Sequence, residues 1–176
     1  VLIGSSLSLW LKEEGLSRST IGWAGAIFAV YAINYLWAPL VDKLKIFWLT
    51  KKIGHRKSWI FLMQLFIGIS LLIWSSINPE KNLFFIILIG LLIAIFSSTQ
   101  DISIDALRIE LIKSNERNIM AAAASMAVMG WWTGFKIGGL LSLFISDYFE
   151  KIGLNNYWQI TFVFLFFILM LLNFLL

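Results

Sequence analysis

The segment LFFIILIGLLIAIFSSTQDISIDALRIELI, residues 83–112, decides the fold. It begins with an apolar run, and the uncharged stretch 82–100 is long enough to cross a bilayer as a helix. Four charged residues then follow along the same helix: Asp101, Asp105, Arg108 and Glu110. We therefore predict a membrane-spanning helix whose last turns carry charge.

The rest of the chain has the same apolar character. Of its residues 60% are hydrophobic and 14% are charged, whereas a soluble domain has about 25% charged residues. Charge-free runs of spanning length cover 19–41, 58–79, 82–100, 118–135 and 152–176. Because these runs are longer and more uniformly apolar than the alternating strands of a membrane barrel, the sequence predicts an all-α integral membrane protein.

We predict six membrane-spanning helices, at about residues 1–11, 19–41, 58–77, 82–112, 118–146 and 157–176. The first lacks its first half, and since the chain both starts and stops inside an apolar segment, we expect it to be part of a longer polypeptide. Nine Lys and Arg residues lie in or beside the 2–3 and 4–5 loops, against four on the opposite side. This asymmetry predicts that the 2–3 and 4–5 loops are cytoplasmic.

The residue inventory argues against other function classes. The chain has no cysteine and one histidine, His55, which we interpret as a solvated loop residue. A metal site or a nucleophile–base pair therefore lacks its usual residues, and we expect no catalytic residue, metal or cofactor. The net charge of +4 comes from basic residues that flank the spans, so we expect no nucleic-acid partner.

The charges on helix 4 are the strongest candidates for function. Asp101 lies about 28 Å along a helix that starts near Asn82, inside the membrane. Because an unpaired charge in lipid costs about 3 kcal/mol, we expect it to face protein or water. Asp105 and Arg108 share its face by spacing; they either pair structurally or serve the solute. We interpret Asp101, beside Gln100, as part of a polar cavity that takes up a proton or contacts solute.

Helix 5 carries two further features. Lys136 lies mid-span, and we expect it to point inward, to an acidic partner or an anionic solute. Small residues recur there at four-residue spacing: Gly130, Gly134 and Gly138. Gly22 and Ala26 form a lesser ridge on helix 2. Such ridges serve ordinary packing or provide surfaces for further helices.

Aromatic and polar residues inside the spans are weaker candidates. Six of them could contact a sugar or pack in the ordinary way: Tyr31, Asn34, Tyr35, Gln64, Trp131 and Trp132. The 2–3 connection VDKLKIFWLTKKIGHRK mixes apolar residues with lysines. We interpret it as an interfacial segment with Trp48 at the lipid headgroups.

Four segments occur in a telling order: LWLKEEGLSRSTIGW, YLWAPLVDKL, GHRKSW and SSTQDISIDALRIELI, followed by NERN. This order resembles the AmpG-type muropeptide permeases, in the peptide–acetyl-coenzyme A branch of the major facilitator superfamily. The TQDI-x-x-DA piece is the most specific. The pattern of Asp42 with Gly54-His55-Arg56-Lys57 resembles the superfamily's 2–3 loop signature, lengthened by inserted residues.

The resemblance implies a twelve-helix fold of which this chain is the N-terminal half, with the C-terminal half of the same polypeptide as its partner. It implies proton-driven import of 1,6-anhydromuropeptides across the bacterial inner membrane for peptidoglycan recycling. Helices 1 and 4 would line the solute cavity, and helices 2 and 5 would face the other half. The implied cytoplasmic gate contains Asp42, Arg56, Lys57 and Arg108.

One departure from the family bears on the solute. The family often has Gly-Tyr-Arg-aliphatic-Gly in helix 5, where this chain has Gly130-Trp131-Trp132-Thr133-Gly134. Lys136 lies one turn beyond Trp132, and we hypothesise that it supplies the displaced charge. Two alternatives stay open: a carrier of acetyl-coenzyme A or another anionic solute, and a half-length remnant that acts in membrane assembly or does not transport.

Overall fold

The computed structural model describes residues 4–78, 81–112 and 117–175. All elements among these residues are helices. The α-helices are α1 Gly4–Glu13, α2 Arg18–Gly25, α3 Val30–Ile33, α4 Ala38–Lys43, α5 Phe47–Ile53, α6 His55–Trp74, α7 Leu83–Leu111, α8 Arg117–Lys151 and α9 Tyr157–Phe174. Residues 113–116, part of the predicted 4–5 loop, lie outside the described residues.

The second span, expected as one helix over 19–41, is interrupted. Short 3-10 segments, Ala26–Ala29 and Asn34–Leu36, separate α2 from α3 and α3 from α4. Pro39 stands at the start of α4. Because proline has no N–H and its ring conflicts with the carbonyl four residues earlier, it kinks or breaks a helix. Trp37 accordingly has φ −108° and ψ 0° immediately before α4.

Five segments of the described residues are long and apolar enough to cross a membrane: Arg18–Leu36, His55–Trp74, Leu83–Leu111, Asn118–Lys151 and Tyr157–Phe174. The helix predicted over residues 1–11 is α1, which has 10 residues and is shorter than a span. The chain is thus a multi-pass, all-helical membrane protein.

The helices form a ring around a common centre. In order around the ring come α1, the α2–α4 series, α7, α6, α9 and α8, which closes onto α1. The most extensive packing is between α6 and α7 and between α6 and α9. This ring places the charged helix α7 directly beside the broken second span.

An aromatic core fills one end of the ring, where α1 and α6 end and α9 begins. Trp10, Trp74, Trp158 and Phe162 are buried there. The Phe162 ring lies 4.8 Å from Trp10 and 5.5 Å from Trp74, measured between centroids. Such ring pairs add to the free energy gained from apolar burial, so this end of the bundle is firmly packed.

Each indole N–H of that core also has an acceptor. Trp10 donates to Glu14 at 3.1 Å, Trp74 to the Ile86 carbonyl at 3.2 Å and Trp158 to Glu13 at 2.6 Å. The segment LWLKEEG therefore supplies two carboxylates that satisfy buried tryptophans, one of them across helices.

Gly68, which lies outside the predicted ridges, permits close contact between two helices. A Cβ atom added at Gly68 of α6 would lie 2.7 Å from the Met170 Cε atom and 3.1 Å from the Phe166 ring of α9. A Cβ atom at Gly130 or at Gly22 would meet nothing within 4 Å. Among the described residues, the faces of α8 and α2 at these two glycines are therefore open.

This difference yields a prediction about stability. Gly68→Val should lower the free energy of unfolding by about 1–3 kcal/mol, because the added methyl groups overpack the α6–α9 contact. Gly130→Val is the matched control and should have little effect. Thermal unfolding of both variants in detergent, followed by circular dichroism, measures the difference. Equal shifts in the two variants would contradict the packing seen between α6 and α9.

Candidate functional site

A cavity of about 290 Å³ occupies the centre of the ring. Its wall draws residues from α1, the second span, α6, α7, α8 and α9, and most of them are apolar. The polar and charged residues of the wall are Tyr31, Gln64, Ser97, Gln100 and Asp101. A concave site with a few converging polar groups is the usual form of a small-molecule site.

One face of α7 provides most of this wall. The α7 residues that line the cavity are Gly90, Ile93, Ala94, Ser97, Gln100, Asp101 and Ile104. Their spacing of three and four places them on one side of the helix. Along this stripe the wall changes from apolar to polar, and Gln100 and Asp101 belong to its polar part.

The polar groups of the cavity come from three helices. Tyr31 of α3 lines the cavity together with Ser97 and Asp101 of α7. Gln64 of α6 is buried and donates to the Leu169 carbonyl of α9 at 3.4 Å. The arrangement offers a carboxyl, a phenol and two amides, which can bind a polar solute or hold a proton.

A second polar cluster lies at the end of the ring where α6 begins and α7 ends. Arg56 of α6 pairs with Asp42 of α4 at 2.5 Å and with Glu110 of α7 at 2.8 Å. Its side chain is 13% exposed, and those of its partners are 53% and 54% exposed. One guanidinium therefore ties three helices together, and its fork of donors suits two carboxylates at once.

His55 belongs to this cluster, which corrects its interpretation as a solvated loop residue. It opens α6, and its Nε2 atom is hydrogen-bonded to the Val41 carbonyl of α4 at 3.0 Å. The chain turns into α6 at Gly54, whose φ of +89° favours glycine. This turn brings both His55 and Arg56 against α4.

Three further charged residues lie apart from the cavity: Asp105, predicted on the proton and solute path, and Lys57 and Arg108, predicted at the gate. Asp105 is exposed and pairs with Arg108 at 3.0 Å, one turn along α7. The two residues thus pair with each other, within one helix. Lys57 is exposed in the first turn of α6. Neither acid nor base of the Asp105 pair lines the central cavity.

The predicted contacts on the second span and helix 5 lie on the outside of the ring. Tyr35, Trp131 and Trp132 are exposed, and Asn34 is half-buried. Lys136, expected to point inward to an acid, is exposed and forms no ion pair with a described residue. These five residues are absent from the cavity wall.

These residues lie outside because their two spans are the ones least buried by the other helices. Only 17% of the Arg18–Leu36 span and 11% of the best Asn118–Lys151 window are buried, against 28–50% in the other three. The second and fifth predicted helices are thus the most exposed. The resemblance implies that these two would face another half of the fold.

Sequence analysis did not assign three residues that join helices at or beside these sites: Glu110, Trp37 and Thr99. Glu110 binds Arg56 together with Asp42, and the sequence feature that could have indicated this pair is an acid at the end of helix 4 opposite a basic loop. The Trp37 indole donates to Thr99 at 3.0 Å and so joins the second span to α7. No spacing in the sequence indicates this contact, because the two residues lie 62 positions apart and on different helices.

The Arg56 cluster yields a prediction about stability. Arg56→Gln should cost about 2 kcal/mol of unfolding free energy, since two charged hydrogen bonds between helices are lost and solvent screens their half-exposed acids. Arg108→Gln removes a pair within one helix and should cost about 0.5 kcal/mol. Thermal unfolding in detergent compares the two. Arg56→Gln should also lose its effect in a Glu110→Gln, Asp42→Asn background; full additivity would contradict the shared pairing.

Comparison with known proteins agrees with this architecture. The model of the Major Facilitator Superfamily matches residues 1–176. The chain is 36% identical to the protein named AmpG 4 in Rickettsia felis over 93% of its own length and 37% of the relative's. It is 33% identical to the protein named AmpG 1 in Rickettsia bellii, over 98% of the chain and 40% of the relative. Both names describe transporters, and the chain spans about two fifths of their length or less.

Proposed function

The chain belongs to the Major Facilitator Superfamily, and on that premise we propose that it is the N-terminal six-helix half of a secondary transporter. The proposed solute is 1,6-anhydromuropeptide, imported with protons across the bacterial inner membrane for peptidoglycan recycling. The C-terminal half of the same polypeptide would complete the fold. Relatives named as AmpG transporters and the TQDI-x-x-DA segment support this solute class.

The observation that carries the proposal is the position of Asp101. A carboxyl within a membrane span is costly unless it faces protein or water, and such groups often mark solute or proton pathways. Asp101 lines the central cavity together with Gln100 and near Tyr31. In the proposed mechanism, Asp101 takes up the proton and the amide and hydroxyl groups hydrogen-bond the sugar and peptide of the solute.

The Arg56 cluster has a separate role in the proposal. With the basic loops in the cytoplasm, it lies at the inner end of the helices, where Arg56 ties α6 to α4 and α7. Breaking and reforming these pairs would accompany opening to the cytoplasm. Lys57 follows Arg56 in the sequence and Arg108 lies two residues before Glu110; these two residues complete the proposed gate.

The first experiment is uptake of labelled anhydromuropeptide by permease-null cells that express the complete gene. Asp101→Asn should lower uptake by about tenfold or more, because the amide cannot carry the proton or accept charge-assisted hydrogen bonds. The control is Asp147→Asn on α8, which removes an exposed carboxylate that pairs with Lys151 of that helix. Its uptake should stay near that of the wild type.

Each outcome separates the interpretations. If the Asp101→Asn variant takes up the solute as well as the wild type does, at equal membrane levels, Asp101 is not part of the proton path, but the protein is still a carrier of this solute. Absence of uptake by wild type and variants alike, with normal insertion, would contradict the proposed solute and favour a different solute or a non-transporting remnant. A protonophore should abolish wild-type uptake if protons drive it.

Lys136 provides an independent test of the solute. We propose that its exposed ammonium group meets the solute or the second half in the assembled transporter, in place of the family's displaced arginine. Lys136→Ala should reduce uptake several-fold, while Lys136→Arg should retain most of it because the charge is kept. Unchanged uptake in Lys136→Ala would contradict the compensation. Acetyl-coenzyme A uptake, measured in parallel, would identify an anionic-solute carrier instead.

A further inference from the structure

The short helix α5 presents an unusual exposed face. Phe47 and Trp48 are 75% and 68% exposed. The Lys51 ammonium lies 4.2 Å from the centre of the Phe47 ring, and the Lys52 ammonium lies 4.2 Å from that of Trp48. Exposed aromatic rings beside lysines are typical of a segment at the headgroup level of a bilayer.

A second cavity, of about 550 Å³, lies beside α5 where α6 begins and α9 ends. Its wall contains two lysines, Lys52 from α5 and Lys57 from α6. It also contains an apolar surface made by Leu49, Phe61 and Phe174. Positive charge next to an apolar wall complements a molecule with an anionic head and a hydrocarbon tail.

A buried polar atom gives the second indication of a ligand. Asn173 lines this cavity and is 6% exposed, yet its side-chain oxygen has no hydrogen-bond donor among the described residues. The other two buried side-chain atoms without a partner there, Thr50 Oγ1 and His55 Nδ1, belong to α5 and the first residue of α6. Buried acceptors are normally paired, so a donor from outside the chain would satisfy Asn173.

We propose that this cavity binds an anionic phospholipid whose headgroup carries hydroxyl groups, of the phosphatidylglycerol type. Its phosphate lies with Lys52 and Lys57, a headgroup hydroxyl donates to the Asn173 oxygen, and an acyl chain follows the apolar wall. The bound lipid braces α5 against α6 and α9. The inference does not depend on the identity of the transported solute.

The lipid, rather than a soluble phosphate compound, fits the surroundings. The cavity adjoins the ends of two membrane spans, α6 and α9. The two exposed rings of α5 place the helix in the headgroup layer, where phospholipid phosphate is the abundant anion. A lysine near an anionic membrane surface strengthens binding, and here two lysines share one cavity.

Native mass spectrometry of the purified protein with added lipid tests the site. Wild type should bind phosphatidylglycerol about tenfold or more tightly than phosphatidylcholine. The double variant Lys52→Gln, Lys57→Gln should lose this preference. The matched control Lys12→Gln, Lys151→Gln removes the same charge far from the cavity and should keep it, and Lys52→Arg, Lys57→Arg should keep it too.

Asn173 is tested with a second lipid. Asn173→Leu should weaken phosphatidylglycerol binding several-fold and leave phosphatidic acid binding unchanged, because phosphatidic acid has no headgroup hydroxyl beyond its phosphate. Circular dichroism and unfolding temperature confirm that each variant is folded.

Three results would overturn the proposal. One is equal binding of the two lipids by wild type. Another is an equal loss in the cavity variant and the distant control, which would indicate general charge attraction only. The third is displacement of phosphatidylglycerol by glycerol 3-phosphate at similar concentration, which would indicate a site for a soluble phosphate compound.

Discussion

The absence of water from the hydrocarbon of a bilayer is the constraint on which this structure depends, because each polar group there needs a partner within the protein. Hydroxyl groups inside the spans find a hydrogen-bond partner within their own helix; Ser70, for example, donates to the Phe66 carbonyl one turn earlier. Other groups find a partner across helices. Ser6 of α1 donates to Ser142 of α8 at 2.7 Å, and Trp37 donates to Thr99. These bonds fix which helices are neighbours, whereas apolar contacts alone specify neighbours poorly in lipid.

The same constraint explains why the charges of α7 divide between two places. Asp101 lies further from the end of α7 than the other acids, and it lines the cavity. Glu110 lies at the helix end and pairs with Arg56, while Asp105 is exposed and pairs within α7. Position along α7, at 1.5 Å of rise per residue, therefore separates the acid of the cavity from the acids near the helix end.

Position along a helix is what the sequence predicts well. The helix predicted over 82–112 is Leu83–Leu111 in the structure. The position of Asp101 along this helix can be counted from the sequence, and Asp101 lines the cavity. Rotation about the axis is predicted poorly, since lipid-facing and protein-facing residues are both apolar and leave no amphipathic pattern. Lys136, which the sequence predicts to point inward, accordingly lies outside; Trp131 and Trp132, for which the sequence leaves solute contact and ordinary packing open, lie outside as well. Contacts such as Arg56 with Glu110 depend on the fold of a whole loop, which no local pattern encodes.

The two ends of the ring differ in the kind of interaction that holds them. Around Phe162, buried rings pack against one another, and opening that end would expose large apolar surface to water. At the other end, Arg56 holds two acids that are already half exposed, so water can replace its bonds at smaller cost. We infer that within this set of helices a change of shape begins at the Arg56 end, while the aromatic end keeps α1, α6 and α9 together.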